Sequence, residues 1–183
     1  MKENKVYILL TDTGTLFTRA IKLYTKKPYN HASISFDPDL LEVYSFGRKN
    51  VKNPFAGGFV QENIQDRLYN NATCTIFSYS VTELQMQKMK HYIHQIEKEK
   101  HLYRYNFLGL LAIIVKKPIK RKNAFFCSQF VATVLQECGI YDFTKPLSLV
   151  TPHDFQESPG LQLVYQGNLS DYNQEGTDQQ NAI

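Results

Sequence analysis

Residues 31–36, HASISF, alternate strictly, with His31, Ser33 and Ser35 in one row and Ala32, Ile34 and Phe36 in the other. That period of two marks a strand with one polar and one apolar face, and His31 lies on the polar one. Asp37-Pro38-Asp39 supplies turn chemistry and LEVYSF alternates again, so residues 31–46 read as a β-hairpin.

Around the hairpin the pattern is mixed. Lys5 to Leu10 reads as a buried strand. Thr11 to Thr15 supplies turn and capping groups for a short helix carrying Leu16, Phe17, Ala20, Ile21 and Tyr24, which ends before Pro28. NPFAGGFVQENI, residues 53–64, reads as a glycine-containing loop without an assigned role, and Thr73 to Tyr79 as a strand. Ser80-Val81-Thr82-Glu83 has capping-box spacing, and Met86, Met89, Ile93 and Ile96 share one face of a helix reaching about Lys100. A second helical stretch, Phe107 to Val115, stops near Pro118. In NAFFCSQFVATVLQECGI, Val131, Val134, Leu135 and Cys138 form a stripe, with Gly139 as the helix C-cap. TPHDF suggests a helical turn begun by Pro152, and Leu161 to Tyr165 a last strand. The expected fold class is α+β: an antiparallel sheet packed against the helix that carries Cys127. Residues 1–165 form the domain and residues 166–183 a polar, disordered tail.

Composition limits the alternatives. A chain of 183 residues with 43% apolar content can bury one substantial core. The net charge of +4 is concentrated in Arg19–Lys27 and Lys116–Lys122, which are short segments, so no nucleic-acid partner is expected. The start, MKENKVYILL, has too few apolar residues for a signal-peptide core of roughly 7–15. The run Leu110 to Val115 is far short of the ~20 residues that span a bilayer. Cys74, Cys127 and Cys138 form no CxxC pair, which suggests neither a disulfide framework nor a metal site; a cytoplasmic location and no cofactor are expected.

Cys127 stands at the start of its helix, after Phe125 and Phe126 and near Lys120, Arg121 and Lys122, where free amides and the helix dipole stabilise a thiolate. The same residue lies on the stripe of Val131 and Leu135, and cysteine is often buried, so core packing explains its position equally well. A thiolate needs a base. His91 and His94 lie on the polar side of their helix and His101 at its end; His153, beside Asp154, competes with His31.

Taken together, YNHASISFD and NAFFCSQFVATVL, in that order, resemble the circularly permuted branch of the NlpC/P60 papain-like superfamily, which includes YiiX/YaeF-type proteins and relatives of lecithin:retinol acyltransferase. There the histidine strand precedes the cysteine helix. The likeness extends to about Phe155 and includes the Tyr-Asn-Phe stretch at residues 105–107. It implies a permuted papain-like fold, Cys127 as nucleophile and His31 as base. It also implies a polar third residue, on the strand after the histidine, that orients the imidazole. If the turn is centred on Pro38-Asp39, His31 opposes Phe46, and Glu42 and Tyr44 share its face. Tyr44 is the nearer, at roughly 7–8 Å, while the Glu42 carboxylate is the better chemical partner, so Glu42 is preferred and Tyr44 kept as its substitute.

The function that the resemblance implies is a cysteine peptidase or amidase, a thiol-dependent hydrolase acting on a small-molecule or peptide-like substrate, γ-glutamyl compounds included, through a thioester. The backbone amide of Cys127 would meet the oxyanion, with Ser128 or Gln129 available as a further donor. Two rivals remain at this stage. Phe107 to Val115 beside KKPIKRK would suit a lipid-directed acyltransferase or thioesterase in peripheral membrane contact, although a core helix followed by a solvated loop explains the same residues and is preferred. The other rival is a binding module that keeps the fold without turnover.

Overall fold

The computed structural model describes residues 4–12, 27–48, 57–109, 113, 116–119 and 121–172. A six-stranded antiparallel sheet organises them: β1 (Asn4–Asp12), β2 (His31–Ser35), β3 (Val43–Arg48), β4 (Gly57–Glu62), β5 (Thr73–Val81) and β8 (Gln162–Asn168), in the order β4-β3-β2-β1-β5-β8. Two short parallel strands, β6 (Arg104–Tyr105) and β7 (Ala124–Phe125), form a separate ribbon. The helices are α1 (Glu83–Lys98), α2 (Cys127–Glu137) and α3 (Pro152–Gln156).

Both faces of the sheet are covered, which explains why β1 buries the consecutive residues Ile8, Leu9 and Leu10 completely. On one face Val6, Ile8 and Leu10 join Ala32, Ile34 and Phe46 against Met89 and Ile93 of α1 and Phe130, Val134 and Leu135 of α2. On the other, Leu9, Val43, Cys74 and Ile76 pack with Ile64, Tyr69 and Ala72 from the segment after β4, and with Leu169. The hairpin's polar row, His31, Ser33 and Ser35, therefore faces a second core rather than solvent. Ser33 and Ser35 are fully buried.

Phe46 ties the sheet to the start of α2. Its ring centroid lies 5.2 Å from that of Phe125 and 5.1 Å from that of Phe130, on either side of Cys127, and 5.9 Å from that of Phe59 on β4. At the other end α2 closes with the expected glycine. Gly139 takes φ +69°, and the amides of Gly139 and Ile140 donate to the carbonyls of Gln136 (3.0 Å) and Leu135 (2.8 Å), the paired bonds of a Schellman cap.

Several expectations change in detail. The capping box of α1 lies two residues later than its sequence signature, with Thr82 and Gln85 exchanging bonds. Residues 57–62, read as loop, form β4. The last strand runs on to Asn168, a helical turn follows over 169–172, and the Tyr172 hydroxyl donates to the Pro38 carbonyl at 2.7 Å. The packed chain thus extends past residue 165. The helix expected at 16–24, and most of the one expected at 107–115, lie outside the described residues. Among the described residues no helix is long and apolar enough to cross a membrane.

Phe46→Ala should empty the aromatic hub and lower stability by about 3–5 kcal/mol, read as a fall in the urea midpoint at unchanged slope.

Candidate active site

The helix that carries Cys127 begins abruptly. Phe126 is its N-cap, in extended conformation (φ −104°, ψ 169°), and provides no side-chain capping bond. The first rung of the helix ladder is Phe130 N–H to Phe126 C=O at 2.9 Å, and the Phe126 side chain caps none of the amides of Cys127, Ser128 and Gln129 that precede it at the positive end of the helix. The start is fixed from two sides. The Ser128 hydroxyl donates to the Val150 carbonyl at 2.7 Å, and the Phe125 carbonyl accepts from the Asn106 amide at 2.9 Å across the β6-β7 ribbon. Asn106 is wholly buried and its carboxamide reaches Gln129 Oε1 at 3.4 Å.

His31 opens β2, and α2 lies across β2 and β3, so the amino end of α2 meets the beginning of the histidine strand. The Cys127 thiol pairs with the His31 ring, and the backbone amides of Ala32 and Ser128 also reach the sulfur. The ring's Nε2 lies 2.6 Å from Glu62 Oε1, with side-chain exposures of 16% for His31 and 7% for Glu62. This leaves Nδ1 as the nitrogen for the sulfur. Glu62 in turn accepts Ser45 Oγ on Oε1 (2.6 Å) and Ser33 Oγ on Oε2 (2.5 Å).

Charge shifts follow from this geometry. Burial would push the Cys127 thiol up, but the adjacent imidazolium, the bond to it and the two amides bring it below its ordinary value. Burial would push the His31 pKa down, and the Glu62 charge, then Cys127, raise it well above the ordinary range. Glu62 is lowered despite burial, through His31 and the two serine hydroxyls. The thiol of Cys74, by contrast, is pushed up by burial to about 12, and that of Cys138 is also raised by burial.

The structure thus brings together two of the residues expected from the sequence, Cys127 and His31, and replaces the third. Glu42 is exposed in the turn, where its backbone amide donates to Asp37 Oδ2 at 3.0 Å. Tyr44 pairs with Ile34 and turns to the opposite face of the sheet, its ring 6.1 Å from Phe36 and 6.0 Å from Phe59. The cause is a register one residue from the expected one. The observed pairs are Ile34↔Tyr44 and Ser35↔Val43, and such a slip exchanges the faces of a strand. Leu40, at φ +55°, provides the extra reach of the turn, which Asp37 holds by accepting the amides of Leu41 and Glu42.

Glu62 comes from β4, two strands from His31, and sequence reasoning missed it. The only signal was Phe59 and Gln61 alternating with Val60 and Glu62 after a Gly-Gly pair, which also reads as loop. Gly47 on β3 lies beside Glu62, and a Cβ placed there would meet its Oε1 at 3.8 Å, an ordinary contact. Among the other histidines, His153 Nε2 lies 2.7 Å from Lys27 Nζ and 3.2 Å from Glu157, away from Cys127, while His91, His94 and His101 are exposed. Of the two expected extra oxyanion donors, the Ser128 hydroxyl is committed to Val150. Among the described residues no group of three or more His, Cys, Asp or Glu side chains is arranged to hold a metal ion. No family model and no curated protein matches this sequence.

Two outcomes are expected. Glu62→Ala should cost about 3–5 kcal/mol at neutral pH, because it strands a buried imidazolium, whereas Glu42→Ala should stay within about 0.5 kcal/mol. The Glu62 contribution is present above the ordinary carboxyl range and is lost as pH falls through its lowered native pKa. The His31 contribution is full below about 6.5 and is lost as pH rises through its raised one. Urea midpoints across pH check both. Separately, iodoacetamide at about pH 6 should alkylate Cys127 at least ~10-fold faster than Cys74 or Cys138, and His31→Gln should abolish the preference, as peptide mass mapping would report.

Proposed function

We propose that the protein is a cysteine-dependent acyl-transfer enzyme, a hydrolase of amide bonds in small peptide-like or γ-glutamyl-type substrates, built on a permuted papain-like fold. The observation that carries this reading is the buried chain Cys127–His31–Glu62 at an uncapped helix amino terminus. A cysteine kept only for packing has no need of a charged imidazole beside it, and a buried imidazole–carboxylate pair is costly to maintain. The order of the elements, histidine strand before cysteine helix, supports the permuted form.

In this mechanism the Cys127 thiolate attacks the carbonyl carbon and the Cys127 backbone amide receives the developing oxyanion. The His31 proton on Nδ1 passes to the leaving amine as the C–N bond breaks, which leaves a thioester on Cys127 and a neutral imidazole. Water then gives a proton to Nδ1 as its oxygen attacks the thioester, and the carboxylic acid departs as the thiolate and imidazolium are restored. Through both halves Glu62 holds the Nε2–H and so fixes which nitrogen faces the sulfur.

The test uses a panel of γ-glutamyl and N-acyl amino-acid amides and anilides. The native protein should release amine and acid from at least one of them, with a transient acyl adduct on Cys127 visible by intact mass. Cys127→Ala and His31→Ala should each lose at least ~10³-fold in turnover, the first at the native melting transition and the second with a cooperative transition at lower temperature, because it strands the Glu62 carboxylate. Full activity in either variant sinks the proposal.

A further inference from the structure

Glu62 receives more donors than the orientation of a histidine requires. Besides His31 Nε2 at 2.6 Å, it takes Ser45 Oγ at 2.6 Å and Ser33 Oγ at 2.5 Å, and the phenol of Tyr69 stands beside its charge. The cradle draws on four elements: β2 supplies His31 and Ser33, β3 Ser45, β4 the carboxylate itself, and the 3₁₀ turn Arg67–Tyr69 the phenol. Tyr69 is 6% exposed, and Ser33 and Ser45 are fully buried.

We infer that Tyr69, with Ser33 and Ser45, is a positioning residue of the acyl-transfer site: the three hydroxyls and His31 fill the lone-pair sites of Glu62 and make it a fixed acceptor rather than a proton carrier. A carboxylate offers about four lone-pair sites; His31, Ser45 and Ser33 take three, and the adjacent Tyr69 phenol is the donor at hand for the fourth. A proton can settle on Glu62 only by displacing one of them, and each displaced hydroxyl would be left buried without an acceptor. The Nε2 proton of His31 therefore stays on the ring, and only the Nδ1 proton moves during reaction. Tyr69 matters most for placement, because it is the one donor from outside the sheet; it pins the end of the edge strand β4, which pairs only with β3.

The titratable groups that face Glu62 are His31, with Cys127 behind it, and Tyr69, beside which stands Asp66. The inference deepens the acyl-transfer reading, but its test does not need turnover. The full chain, labelled with ¹³C at the glutamate carboxyl carbons, is titrated by NMR from about pH 7 to about pH 3, with the Glu62 signal assigned by its loss in Glu62→Gln. Glu62 should stay ionised well below the ordinary ~4.3 in the native protein. Tyr69→Phe and Ser45→Ala should each raise its midpoint by about one unit, with the melting transition confirming a folded chain. An ordinary midpoint in the native protein, or an unmoved midpoint in either variant, overturns the inference. Should Tyr69→Phe not fold, the ¹³Cζ signal of Tyr69 decides: it must shift in Glu62→Gln, and an unshifted signal overturns the role of Tyr69. Because the readout is the state of Glu62, a failed cradle with a working hydrolase, and a sound cradle without one, are distinguishable results.

Discussion

A carboxylate removed from water survives only where donors replace its hydration, and the buried Glu62 with His31 shows how much of this chain is arranged to meet that demand. β2 gives its polar row to the pair, β3 contributes a serine, and the segment after β4 turns back to set a tyrosine beside it. The hydrophobic cores on both sides lower the local dielectric and so strengthen the interaction. If the pair were lost, His31 would be an isolated buried base and Cys127 a packed thiol.

The second constraint is the angle at which α2 meets the sheet. A nucleophile at a helix terminus is useful only if the terminus is held still against the base. Phe46 does this by lying between Phe125 and Phe130, while Ser128 and Asn106 fix the backbone on either side of Cys127. The apolar N-cap Phe126 gives up the stability that a serine or aspartate would bring there, and leaves the first amides open to charge on the sulfur or a bound substrate. A rule of local stability is thus broken at the residue that precedes Cys127.

Much of the local structure was legible because it depends on near neighbours. The HASISF strand, the Met/Ile helix, the Gly139 cap and the Pro152 turn each follow from periodicity or from the conformational limits of one residue type. The legibility ended at contacts across strands. Glu42 looked correct because a turn centred between Pro38 and Asp39 puts it on the face of His31, but Leu40 adopts a left-handed conformation, the register moves by one residue, and the faces exchange. Glu62 was obscured for a related reason: β4 is a short edge strand that opens on two glycines, and its strand character is fixed by pairing with β3 and by Phe59 packing under Phe46, neither of which is a local property.

By itself, the sequence determined which residue types stand at the start of a helix and the start of a strand, and therefore that Cys127 and His31 could act as thiolate and base. Tertiary structure alone decided that they meet, that the polar row of β2 faces a second core, and that the partner of His31 is Glu62. The physical reason is range. Helix caps and strand alternation are set within a few residues, whereas register, strand order and the burial of a charge depend on the energy of the whole packed sheet.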